Sequence, residues 1–120
     1  MLKGMDIVLG GPDKYFVILI RSMIDIDSGE LIEGPCKCVN VILELLGFDN
    51  VQELFDSRPN KQEQIDLDDS DLRLEPNNKL EPKDIFTGTR IGLSDKYLEY
   101  KNKPYRFVIY QEKIKKEKKI

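Results

Sequence analysis

Apolar positions divide the first half of this chain into one strand-like run and one helix-like stripe. Tyr15 to Arg21 (YFVILIR) is continuously apolar up to its last residue and rich in β-branched and aromatic side chains. It follows Gly10-Gly11-Pro12-Asp13, a turn-forming cluster, so the pattern predicts a central strand entered from a turn. Ser28-Gly29 breaks the chain, and Gly34-Pro35 opens a helix with proline at a first-turn position, where its missing N–H costs nothing. Cys38, Val41, Ile42 and Leu45, with Val39 and Leu46 beside them, follow the i, i+3, i+4, i+7 spacing, which carries the helix to about Leu46. This face is expected to bury against a sheet, and Gly47 is placed for a left-handed C-terminal cap.

The second half is more polar and its signals are shorter. Phe48 to Ser57 has room for a short helical turn, while Arg58-Pro59-Asn60 and the acidic stretch to Ser70 read as exposed loop. Leu72-Arg73-Leu74 alternates like a short strand that Pro76-Asn77-Asn78 ends. Ile85 to Leu93 and Arg106 to Tyr110 are the remaining strand candidates, joined by a polar segment that starts at Ser94-Asp95. The expected fold class is α+β, an antiparallel curved sheet with one principal helix. Residues 1–120 are expected to form a single domain, with 111–120 a basic, frayed tail.

Composition narrows the chemistry. At 120 residues the chain is long enough for one modest core. An apolar share of 40% beside a charged share of 34% fits a globular protein in water. No apolar run approaches the ~20 residues that span a bilayer, and Met1 to Asp6 lacks the apolar core of a secretion signal. No membrane association is expected, and an intracellular location is. There is no histidine, so a Ser/His/Asp or Cys/His triad is excluded within the chain, and Cys36 and Cys38 alone are too few for a zinc site. Both cysteines are expected to be reduced thiols, Cys38 buried in the helix. Asp66, Asp68, Asp69 and Asp71 lack the glycine and distal glutamate of a calcium loop, so no metal and no cofactor is expected. Acid–base chemistry would fall to carboxylates, lysine or tyrosine.

The net charge of -3 conceals an uneven distribution. Residues 53–84 hold ten acids against five bases, and residues 95–120 hold nine bases against four acids. A local positive face steers a polyanion even when the sum is negative. Gly34-Pro35-Cys36-Lys37 sets a lysine in the first turn of a helix, where free N–H groups and the positive end of the dipole already suit an anion. An ordinary helix start with a surface lysine has the same sequence. Arg21, ending an apolar strand, must reach solvent, a carboxylate such as Asp25 or Asp27, or a phosphate. Arg90 and Arg106 sit between apolar neighbours and present the same alternatives. Tyr15, Tyr97, Tyr100, Tyr105 and Tyr110 read as core or rim residues rather than base-stacking platforms.

Order and spacing add what single motifs do not. The series Leu19-Ile20-Arg21, Gly34-Pro35-Cys36-Lys37, Asp66-Leu67, Arg90-Ile91-Gly92 and Pro104-Tyr105-Arg106-Phe107 resembles the C-terminal half of the alkyladenine (3-methyladenine) DNA glycosylase family. The resemblance covers roughly residues 5–110. It implies a base-excision repair enzyme that flips a damaged purine out of double-stranded DNA and hydrolyses its N-glycosidic bond with an activated water. By position, Arg21 is similar to the family arginine that holds the water and the phosphate beside the flipped nucleotide, and the backbone carbonyl of Ile91 to the one that orients the water. Gly34, Pro35 and Lys37, with Arg90, would grip DNA phosphate. Met5-Asp6-Ile7-Val8 resembles a pocket-lining segment in which the family carries asparagine where Asp6 stands.

The family's general-base glutamate, its base-stacking tyrosine and histidine, and its wedge tyrosine have no counterpart here, since Met1 aligns just after the wedge. The resemblance therefore implies part of a larger glycosylase domain, completed by a second polypeptide or by self-association. The alternative function is a catalytically inactive DNA-binding or protein-interaction module that keeps the phosphate grip.

Overall fold

The computed structural model describes residues 3–58, 72–76, 84–91 and 94–116. The sequence-expected acidic loop, with Asp66 to Asp71, lies outside them. The chain divides into two compact units, Met1–Asn78 and Lys79–Ile120.

In the first unit, β1 (Asp6–Gly10) and β2 (Tyr15–Leu19) form an antiparallel hairpin with Val8 opposite Val17 and Leu9 opposite Phe16. The Gly11 N–H donates to the Lys14 carbonyl at 3.0 Å. Gly10 has φ 108°, and a Cβ there would lie 2.4 Å from the Lys14 oxygen, so the turn requires glycine. The strand expected over Tyr15 to Arg21 stops at Leu19 because the backbone changes partner. Ile20 still donates to the Met5 carbonyl at 3.0 Å, whereas the Arg21 carbonyl accepts from Gly34 at 2.7 Å. A second hairpin follows, β3 (Ser22–Ile24) against β4 (Leu31–Glu33). Its tip is the expected break at Ser28-Gly29, closed by Asp25 Oδ1, which accepts from the Asp27 and Ser28 amides.

Helix α1 (Pro35–Leu46) has the predicted limits. Pro35 occupies the first turn, and Gly47 ends the helix at φ 81°. The Gly47 amide donates to the Glu44 carbonyl at 3.1 Å and Phe48 to the Leu43 carbonyl at 2.9 Å, satisfying carbonyls that the helix end leaves open. The buried face is only partly the one expected. Cys38, Val39 and Leu43 are buried, while Leu45 is 76% exposed. The stripe runs through Val39, Ile42 and Leu46, and Leu45 falls past its edge. The turn expected between Phe48 and Ser57 is α2 (Val51–Asp56). Its Asn50 side chain accepts from the Glu53 amide while the Glu53 carboxylate accepts from the Asp49 amide. Val39, Leu43 and Leu54 form the core between the two helices, with Met5, Leu46, Phe48 and Val51 packed against it. Leu72 to Leu74 is not a strand; Arg73 there pairs with Glu75 at 2.8 Å on the surface.

In the second unit, β5 (Phe86–Gly88) pairs antiparallel with β6 (Arg106–Val108). Both are shorter than the sequence implied. Tyr110 has φ 52°, which ends the second strand. The polar connection is a 3-10 turn at Asp95–Tyr97 running into α3 (Leu98–Lys101), tied by an ion pair between Lys101 and Asp95. Another 3-10 turn, Gln111–Lys113, and a buried Ile114 carry ordered chain into the segment expected to fray. The architecture is α+β with antiparallel strands, and among the described residues these form three two-stranded ribbons.

Candidate nucleic-acid interface

The first unit brings most of the sequence-expected site residues to one place. The change of partner after Leu19 turns the chain so that the Arg21 carbonyl meets the Gly34 amide at 2.7 Å, at the N-terminus of α1. Gly34 has φ 113°, which a side chain would strain, and it caps the helix without any side-chain acceptor. The first turn contains no acid, so nothing built into the helix neutralises its positive end. Lys37 is exposed, with Cys36 and Pro35 partly covered beside it. Asp6 sits across from Leu19 at the start of β1, one residue beyond the Met5 carbonyl that receives the Ile20 amide. Asp6, Arg21, Gly34, Pro35 and Lys37 are therefore gathered by backbone pairing rather than by chance surface proximity.

Three residues to which the sequence assigned no role belong to the same region. The Lys3 ammonium donates to Asn40 Oδ1 at 2.5 Å, and Asn40 in turn donates to Cys36 Sγ at 3.8 Å, one helical turn back. This places a second ammonium along the first turns of α1. Glu33, 9% exposed, ends β4 immediately before Gly34. A carboxylate buried directly ahead of a helix start has no sequence signal beyond its position between Ile32 and Gly34. Arg21 itself is half-buried.

The other expected residues lie in the second unit. Arg90 is exposed and Ile91 half-buried, both beyond the end of β5; the adjoining Gly92 is outside the described residues. Arg106, which the sequence left open between inside and outside, is 8% exposed and opposes Gly88 in the ribbon, so it belongs to the interior of that unit. The same unit carries several lysine–tyrosine pairs. Lys103 lies 5.1 Å from the Tyr100 ring centre and 5.8 Å from that of Tyr105, and Lys113 lies 5.1 Å from that of Tyr110. Tyr97, Tyr100 and Tyr105 are exposed and so are not core residues. Cys36 and Cys38 are free thiols, and Cys38 is fully buried with its thiol directed at the Ile32 carbonyl.

A shallow depression at the opposite end of α1, lined by Asn40, Leu43, Glu44, Gly47, Phe48 and Asp49, carries two carboxylates and does not suit a polyanion. No helix among the described residues is long and apolar enough to cross a membrane.

An uncharacterized protein of Acanthamoeba polyphaga mimivirus is 43% identical over 131 residues, a match that takes in 97% of this chain. The chain spans only 58% of that relative's length. No family model matches the chain, and no solved structure matches it.

Proposed function

We propose that this chain is a DNA-repair glycosylase polypeptide of the alkyladenine type, acting inside the cell on double-stranded DNA that carries a damaged purine. The observation that supports it is the backbone bond from Gly34 to Arg21, which joins the two separate sequence motifs of the expected phosphate grip at one helix N-terminus. In this reading the amides of the first α1 turn and Lys37 hold backbone phosphate. Arg21 holds the phosphate and the water at the flipped nucleotide, and Asp6 borders the base. In the second unit, the resemblance gives Arg90 a phosphate contact and the Ile91 carbonyl the orienting of the water. In this reading the general base comes from a second polypeptide, since the family glutamate has no counterpart in this sequence.

A second reading is favoured by that same shortage of a base: a module that binds DNA through Arg21 and Lys37 and leaves hydrolysis to another protein. Both readings share one test. Binding of a fluorescent duplex, with and without an alkylated purine, is followed across a salt series for the parent chain, Lys37→Ala and Arg21→Ala. Each substitution is expected to weaken binding and to lower the salt slope by about one. A preference for the alkylated duplex that Arg21→Ala abolishes supports the glycosylase, whereas equal binding to both duplexes supports the module. A slope that neither substitution changes contradicts both.

A further inference from the structure

The β5–β6 ribbon of the second unit turns its arginine inward and its aromatic ring outward. Arg106 is 8% exposed and Val108 half-buried, while Phe107 between them is 66% exposed and stands opposite the exposed Thr87. The two-residue period of a strand carries that outer row on to Ile109, 50% exposed, and back to Tyr105, 53% exposed. Sorting by hydrophobicity alone would do the reverse, with the arginine in water and the phenylalanine inside. Cations are set among the exposed rings. The Lys103 ammonium lies 5.1 Å from the Tyr100 ring centre and 5.8 Å from that of Tyr105, so one charge joins a ring of α3 to the row on β6. Lys96 stands 5.8 Å from the ring centre of Tyr97, and Lys113 5.1 Å from that of Tyr110. Residues 95–120 hold nine bases against four acids.

We infer that this surface of the second unit binds single-stranded nucleic acid, with bases stacked on Tyr100, Tyr105 and Phe107 and phosphates held by Lys96, Lys103 and Lys113. It uses no residue of the proposed duplex grip. Positions two apart on a strand lie about 7 Å from each other, against ~3.4 Å between stacked bases, so Tyr105 and Phe107 suit an extended strand whose bases are unstacked. A duplex presents base edges in its grooves and no open ring face. Aliphatic side chains, those of this chain's own hairpin included, would strip water from the ammonium groups and return no charge to them. The chain's acid-rich stretch, with Glu63, Asp66, Asp68, Asp69 and Asp71, would return the charge but no aromatic ring. A single strand brings an anionic phosphate and a flat base at every step, which matches this mixture of ammonium groups and rings.

The test titrates the full 120-residue chain with labelled single strands about ten nucleotides long, one of deoxythymidine and one of uridine. The chain has no tryptophan, so its intrinsic emission comes from tyrosine, and stacking is read directly as quenching of that emission. Quenching is expected together with a rise in anisotropy of the label. Tyr105→Ala and Phe107→Ala are each expected to weaken binding roughly tenfold, and Lys103→Gln to lower the salt slope by about 0.7. Binding of either oligomer in this way supports the inference, and the tighter one identifies the strand as DNA or RNA. Circular dichroism checks that each variant folds. Where one does not, amide shifts of the parent chain decide, and those of Lys103, Tyr105 and Phe107 are expected to move with the oligomer. No binding, which is also the result if the chain covers these rings itself, overturns the inference. So does binding without tyrosine quenching, equal quenching by a blunt duplex, binding that survives both ring substitutions, or competition by polyglutamate as strong as that of unlabelled strand. The single strands contain no duplex and no alkylated purine, so failure here leaves the salt-slope test of the proposed function standing, and failure of that test leaves this one standing.

Discussion

Leu43 and Leu45 lie two residues apart on the same helix, and they show how far residue identity alone carries. Both are leucines in an apolar helical pattern, yet Leu43 is 3% exposed and Leu45 76%. The sequence spacing selected Leu45, because a 3.6-residue period admits two overlapping stripes through Cys38, Val39, Ile42 and Leu46, and choosing between them depends on where Leu54 and Phe48 pack. Leu43→Ala is expected to cost about 2–4 kcal/mol of stability, since it opens a cavity against Val39 and Leu54. Leu45→Ala is expected to stay within about 0.5 kcal/mol. Chemical denaturation of the two variants checks the contrast, and equal losses would mean that the buried stripe is the other one. Gly47 was legible beforehand, because a left-handed cap after an apolar helix has few alternatives to glycine.

At the scale of elements, α1 was readable to the residue because periodicity, Pro35 and Gly47 all mark it locally. The strand before it was not. Tyr15 to Arg21 is one apolar run, but the backbone bonds of Ile20 and Arg21 go to different partners, and the choice of partner is a property of the fold rather than of the run. Leu72 to Leu74 shows the same limit: alternation in the sequence does not by itself produce a strand there. The Gly34–Arg21 junction was legible only as two motifs, and their meeting is a tertiary fact. Local stability should follow the same division. In the isolated chain, amides of α1 are expected to exchange more slowly than those of β1 and β2, whose apolar side chains lack cover. Gly10→Ala is expected to speed β1–β2 exchange further while leaving α1 protected, because its Cβ would press on the Lys14 carbonyl. Exchange mass spectrometry reads both, and uniform protection across hairpin and helix would contradict them.

For the whole molecule, a net charge of -3 combines with two separate cationic regions. One is the α1 N-terminus with Lys3, Lys37 and Arg21 in the first unit, and the other is the lysine- and tyrosine-bearing segment from Asp95 to Lys116 in the second. Composition showed the second plainly and gave no sign of Lys3, whose role depends on its bond to Asn40. Under the proposed function the specific phosphate grip lies in the first region. Amide chemical-shift mapping of the chain titrated with a short duplex tests that assignment most directly. The amides of Gly34, Cys36 and Lys37 and the signals of Arg21 are expected to move together and saturate first. Shifts confined to residues 95–116, with Arg21 and the first turn of α1 unmoved at saturation, would contradict it.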